Sequence, residues 1–190
     1  MTSLRDLFED QLKDIYYAEK KILKTLPKMA KMATSPKLKA GFLKHFDETE
    51  GQIERLDQVF ELIDKPAKAK KCPAIDGILE EGAEIMEEHE RGAGLDAAMA
   101  ASGQAVEHYE MARYGTLVDW ATELGMKDAV KLLAENLAQE EATDEALEQM
   151  ATSELNPAAN DAGDQSDSKV AEMRPGQQRS PAKTKSKRAA

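Results

Sequence analysis

The stretch AVEHYEMARYGTL, residues 105–117, sets Val106, Tyr114 and Leu117 at helical spacing and places Glu110 in the middle of the same stripe. LLAENLAQEEATDEAL, residues 132–147, repeats the arrangement, with Glu140 and Asp144 among Leu133, Leu137 and Leu147. LFEDQLKDIYYAEKKILKTL, residues 7–26, does so again, with Glu19 among Phe8, Leu12, Ile15, Ile22 and Leu26. An ionised carboxylate is costly to bury, so on an apolar face it is normally paired, protonated or bound to a metal. Three such faces predict a helical bundle built around an acidic, metal-binding centre.

The composition agrees. Of the 190 residues, 41% are hydrophobic, 33% charged and only 5% aromatic, as expected for one all-α domain with a tail. The opening residues MTSLRDLFED lack the order of a signal peptide, and no run of about 18 apolar residues occurs, so a cytoplasmic protein outside the membrane is expected. The single cysteine, Cys72, cannot form an intramolecular disulfide and reads as a packing or loop residue. Residues 156–190 carry a net charge of +3, which leaves −13 on the remainder of a chain whose total is −10. So acidic a body is a poor partner for nucleic acid.

Helix signals divide the chain. Ser3 with Asp6 forms a capping pair that starts a helix running to about Ala33, and Pro27 is expected to kink it near its end. Thr34-Ser35-Pro36 turns into a second helix, to about Ile63, with Phe42, Phe46, Thr49, Ile53, Leu56 and Phe60 inward. A basic link from Lys65 to Cys72 precedes a short helix, about Ala74 to Glu90, that reads as a crossover. Helices from about Leu95 to Leu124 and Met126 to Ala151, divided at Gly125, make a second hairpin. The expected architecture is a ferritin-like four-helix bundle of two antiparallel hairpins, with an extra short helix in the crossover. It spans residues 1–152. Residues 153–190 read as a disordered tail, whose basic end, SPAKTKSKRAA, is suited to anionic surfaces if it binds anything.

In antiparallel hairpins, residues equally far from the turn lie at equal depth. The turn at Gly125 sets Glu110 opposite Glu140, with Asp144 one turn further on, and the turn at Thr34 sets Glu19 opposite the level between Glu48 and Gln52. The candidate ligands are therefore Glu19, Glu48, Gln52, Glu110, Glu140 and Asp144, two matching sets suited to a binuclear site. Hard oxygen donors fit iron or manganese, two ions per chain. Glu48 sits off the centre of its apolar stripe and also reads as a solvated residue. His45 falls almost two turns from the expected level, His89 lies in the crossover and His108 points away from Glu110, so all three are expected to pack or face solvent. Glu107 and Glu141 flank the central pair as ligands, hydrogen-bond acceptors or surface groups, and Tyr17, Tyr109 and Tyr114 read first as packing residues.

Five ordered motifs, LRDLFEDQLKDIYYAEKKI, HFDETEGQIERLDQVFE, KCPAIDGILEE, AVEHYEMARYGTL and LAQEEATDEAL, resemble the YciF/YciE-like bacterial stress proteins over about residues 3–151. The resemblance implies a ferritin-like bundle with a short extra helix, a homodimer and a role in stress. It also implies metal-site positions at Glu19, Glu48, Gln52, Glu110, Glu140 and Asp144. Some members have histidine at the position of Gln52 or of Glu50, where this chain has none. Two functions compete: a di-metal protein acting on dioxygen or peroxide, and a non-enzymatic helical dimer with a vestigial, metal-free acidic core. An iron store would need cage-forming surfaces that the sequence does not display. Arg55 and Arg113 separate the two, because a guanidinium filling the acidic centre would exclude a metal.

Overall fold

The computed structural model describes residues 1–163. It contains α1 (Leu4–Met32), α2 (Pro36–Leu62), α3 (Pro73–Glu88), α4 (Ala93–Glu123) and α5 (Lys127–Met150), followed by a π-helical turn, Ala151–Leu155. Helical backbone continues to residue 163, so residues 153–163 are helical although the sequence reading assigns them to the tail. The basic end of that tail lies outside the described residues. No helix of the described residues is long and apolar enough to cross a membrane.

Capping chemistry sets the helix ends. At α1 the Ser3 hydroxyl accepts from the Asp6 amide at 3.2 Å while the Asp6 carboxylate accepts from the Ser3 amide at 2.9 Å. At the α4–α5 turn Gly125 takes φ +71°, and Met126 N donates to Ala121 O at 2.9 Å as Gly125 N donates to Thr122 O at 3.0 Å. This paired closure requires a left-handed residue, which glycine adopts without a side-chain clash. Asp64 occupies the equivalent place after α2 with φ 56°. Pro27 does not end the helix: α1 continues through it to Met32. Pro27 is exposed, so the carbonyl that its ring deprives of a donor lies on the solvent side of the helix.

Heptad-like spacing sets the packing. Buried residues of α1 advance by fours and threes, Phe8, Leu12, Ile15, Glu19, Ile22, Leu26 and Met29. Those of α2 do the same through Leu38, Phe42, His45, Thr49, Gln52, Leu56 and Val59. This alternation suits nearly antiparallel helices that interdigitate along their length. It also corrects the expected face of α2, because Phe46 and Ile53 are only half-buried and His45 and Gln52 point inward instead. Helix α1 packs on α2 and α4, α5 packs on α2 and α4, and α3 lies against α4 and α1. The result is the expected pair of hairpins with a helix in the crossover. The π-turn keeps Ala151 and Leu155 buried on the bundle.

A set of polar contacts ties the α1–α2 turn to the second hairpin at a residue that no sequence motif marks. Asp96, in the first turn of α4 and only 2% exposed, accepts from the Thr34 amide at 2.8 Å, the Ser35 amide at 2.7 Å and the Thr34 hydroxyl. The α1–α2 turn is thereby pinned to the start of α4. Asp96→Ala leaves two backbone amides without their acceptor, and a loss of about 2–4 kcal/mol is expected from urea unfolding. Asp96→Asn, which keeps part of the acceptor capacity, should lose less.

Candidate metal centre

Each helix of the bundle contributes an acid or an amide to one buried layer. Glu19 enters from α1, His45 and Gln52 from α2, Glu107 and Glu110 from α4, and Glu140 from α5. Ligand atoms of His45, Glu107, Glu110 and Glu140 all lie within 4.8 Å of one another. His45 Nε2 is 3.4 Å from Glu107 Oε1 and 3.8 Å from Glu140 Oε2. Glu19, Glu110 and Glu140 are wholly inaccessible to solvent.

Hydrogen bonds hold the outer side of this layer and leave the inner side bare. The Tyr114 hydroxyl donates to Glu19 Oε1 and accepts from Asn136 Nδ2 at 2.9 Å. Gln52 Nε2 donates to Glu140 Oε1 at 2.6 Å. Arg55 donates from Nε to Asn136 Oδ1 and from Nη2 to Gln139 Oε1, and Arg113 donates to Gln11 Oε1 at 3.0 Å. Neither guanidinium enters the centre, and among the described residues no lysine or arginine pairs with Glu19, Glu107, Glu110 or Glu140. Eight buried atoms of this layer therefore have no hydrogen-bond partner outside it: both oxygens of Glu110, one oxygen each of Glu19, Glu48, Glu107, Glu140 and Gln52, and His45 Nε2; Glu107 and Glu140 stand close enough to hydrogen-bond each other when one is protonated. Buried polar atoms are nearly always satisfied, so a cluster of bare ones marks a place for another group. Oxygen donors with one imidazole are what iron or manganese take.

The six expected ligands separate into groups. Glu110 and Glu140 belong to the four-residue cluster, and Glu19 and Gln52 are buried beside it. Glu48 stands at the edge, bound to Lys44, with Oε2 3.9 Å from His45 Nδ1. Asp144 lies outside the cluster, accepting from Gln104 Nε2 at 3.3 Å and contacting His108 Nε2 at 3.1 Å. His45, expected to pack or face solvent, is in the cluster, and of the roles open to Glu107 as ligand, hydrogen-bond acceptor or surface group, its place in the cluster fits the first. Depth matching locates backbone levels, whereas two facing side chains that lean towards each other along the axis meet from levels about a turn apart. A signal for His45 was nonetheless present, since residues 42, 45, 49, 52 and 56 form one heptad stripe.

Burial governs the protonation of the centre. It raises the pKa of Glu110, Glu140 and Glu19, and neighbouring carboxylates add to the effect in each: Glu19 on Glu110, Glu107 on Glu140, and Glu140 on Glu19. The same burial pushes Glu107 up to about 8 and His45 down to about 4. Tyr114 is also held protonated by burial and by the Glu19 charge, so it acts as a donor.

A bundle of four long helices and a short crossover helix, closed around buried carboxylates and one imidazole, defines a class of protein as well as a site. The chain belongs to the family described as Domain of unknown function (DUF892), which matches residues 3–160. It is 43% identical over 160 residues to Protein YciF of Escherichia coli (strain K12), spanning 84% of this chain and 96% of that protein. The crystal structure of the E. coli stress protein YciF superposes with a TM-score of 0.78 over 82% of this chain and 99% of that one. YcfI of Rhodopseudomonas palustris is 48% identical, with a TM-score of 0.76 over 77% of this chain and 94% of its own. A protein from Xanthomonas campestris pv. campestris, 20% identical with a TM-score of 0.69, shares the fold.

These protonation states give the metal-free protein a pH signature. Glu107 has a folded pKa of about 8 against an ordinary 4.5, so its contribution is full below pH 4.5 and is lost as pH rises towards 8. His45, lowered from 6.5 to about 4, costs stability only as pH falls below 6.5. Between pH 6.5 and 8 the carboxyls alone set the slope, and each one protonated only in the folded state contributes a loss of roughly 2 kcal/mol. Thermal unfolding of chelator-treated protein should thus show Tm falling over that interval, less steeply in Glu107→Gln. A Tm independent of pH there would contradict the protonated cluster.

Proposed function

We propose that this chain is a ferritin-like stress protein whose acidic centre holds two iron or manganese ions and acts on dioxygen or peroxide. The observation that carries the reading is the set of eight buried, unpartnered donor atoms, contributed by all four bundle helices and converging on one layer. When bound, such ions supply redox equivalents and Lewis acidity to an oxygen species. Glu110 and Glu140, with His45 and Glu107, are the inner ligands, and Glu19, Glu48 and Gln52 complete the set from α1 and α2. Tyr114 orients the Glu19 carboxylate through its hydroxyl, and Asn136 fixes Tyr114 in turn. Gln52 does the same for Glu140. Partners of this kind hold ligands in place and commonly matter almost as much as the ligands. The shell of Phe8, Ile15, Leu56, Leu117 and Leu133, all 1% exposed or less, keeps bulk water from the layer. A homodimer in the cytoplasm is part of the same proposal, on the strength of the likeness to the stress protein YciF.

A second reading has its own support. Because burial raises all four glutamates, the cluster is able to stand protonated without an ion, as a non-enzymatic stress protein would require.

Metal content separates the two. Untagged protein offered ferrous iron without oxygen should hold about two ions per chain by plasma mass spectrometry, and Glu110→Ala and Glu140→Ala should lose them. Ligand saturation at about a hundred times the dissociation constant stabilises a fold by roughly 2.7 kcal/mol, so chelation should lower the wild-type Tm by several degrees and leave both variants unmoved. A folded wild type that stays metal-free sinks the di-metal reading.

A further inference from the structure

Beside the acidic layer, towards the α1–α2 turn, the bundle contains a cavity of about 110 Å³ lined by all five helices. Its walls include Ile22, Leu26, Met29, Phe42, Val106 and Leu147, with Gly41 and Ala146 also on its lining. One end is polar, formed by His45, Glu48, Glu107 and Thr143. There His45, 3% exposed, leaves Nε2 without a hydrogen-bond partner, as do Glu48 and Glu107 with one oxygen each. The cavity therefore adjoins the candidate metal centre along its His45 and Glu107 edge.

Close-packed interiors seldom leave such a space, and Gly103 shows that this one is bordered tightly. A Cβ at Gly103 would meet Leu147 Cδ1 at 3.0 Å and Phe42 Cε1 at 3.7 Å. At Gly41, by contrast, the nearest atom to an added Cβ is Met150 Cε at 3.9 Å. The wall is thus filled on the α4 side and open on the α2 side.

We propose that this cavity binds a small neutral molecule, apolar along its length and ending in one oxygen head such as a hydroxyl or hydroperoxide, with the head at His45 and Glu107. The assignment names the substrate class of the proposed metal centre and rests on that reading for its chemistry, though not for the binding itself. Size follows from volume: a cavity of about 150 Å³ takes benzene, so about 110 Å³ takes roughly four or five heavy atoms. Head chemistry follows from charge. An anionic head would face the Glu48 and Glu107 carboxyls, and Lys44, the lysine on the lining, is already bound to Glu48. A cationic head would give up its hydration to walls that are mostly apolar and that also carry Lys44, a cost that a neutral hydroxyl largely escapes.

The probes are 1-butanol, butanoate and butylammonium, offered to full-length, chelator-treated protein and followed by saturation-transfer and methyl NMR. The expected result is saturable binding of 1-butanol, shifting methyls of Ile22, Leu26 and Val106, with both charged analogues weaker by about tenfold or more. Gly41→Leu fills the open side from a helical position where a larger residue also favours the helix, so it should fold with an unchanged or higher Tm and lose the binding. Ala146→Phe, placed on an exposed position at the rim, is the second variant and should also lose it. No saturable 1-butanol binding, binding that survives both substitutions, or a charged analogue binding equally well would overturn the proposal. The plasma mass spectrometry measurement keeps the two readings apart. Butanol binding by a protein that never takes up metal removes the di-metal function and leaves the cavity site. Two ions per chain without butanol binding does the reverse.

Discussion

Everything in this bundle is arranged around carboxyls that have been taken out of water without a counter-cation. Four glutamates and an imidazole share one layer, their inner atoms bare and their nearest guanidinium, that of Arg55, committed to Asn136 and Gln139. A buried ion pair could have neutralised the layer, and the sequence supplies the arginines to make one. They are instead held outside it, where Arg55 only partly offsets the upward shift that burial and neighbouring carboxylates impose on Glu19 and Glu140, and touches neither. The centre is thus kept acidic rather than compensated.

Holding such a layer together falls to the rest of the fold. Heptad spacing on α1 and α2 gives long, regular contacts above and below the layer, and Leu12, Ile15, Leu56 and Leu117 are fully excluded from solvent. The ends are tied separately, by Asp96 gripping the α1–α2 turn and by the glycine closure at Gly125. Within the layer, Tyr114, Asn136 and Gln52 form a linked set of hydrogen bonds that fixes the outer oxygens of Glu19 and Glu140 and leaves the inner ones free. Local order in the shell is what permits local dissatisfaction at the centre, since each bare oxygen costs stability that packing elsewhere must offset.

Much of this was legible in the chain. Ser3, Ser35 and Gly125 marked helix ends to within a residue or two because their capping roles are local chemistry. Glu19, Glu110 and Glu140 were legible because apolar stripes announce their own inward face, and antiparallel hairpins convert sequence distance into depth. His45 and Glu107 were harder, since what decides them is the rotation of a helix about its axis by less than one residue, and Phe46 competed with His45 for the inward position. Asp144 failed to join the cluster for a related reason: it lies one turn past Glu140, on a level where Gln104 and His108 were available to it. Asp96 was illegible, because its partners are amides of a turn more than sixty residues away. Helix α1 passing through Pro27 shows that a strong local signal need not end a helix where the missing hydrogen bond falls on the solvent side.

The layer is also asymmetric along the bundle axis. On the Tyr114 side, hydrogen bonds from Tyr114, Gln52 and Asn136 close it, and Leu12, Leu56, Leu117 and Leu133 are fully buried. On the His45 side the helices enclose a cavity, and bare atoms of His45, Glu48 and Glu107 border it. A purely structural acidic core has no use for that difference, since packing both sides would cost less in unsatisfied polar surface and lost contacts. A centre that must admit a reactant from one direction and hold its ligands from the other needs this arrangement. The asymmetry is the feature that the proposed working site uses and that the metal-free alternative leaves without a role.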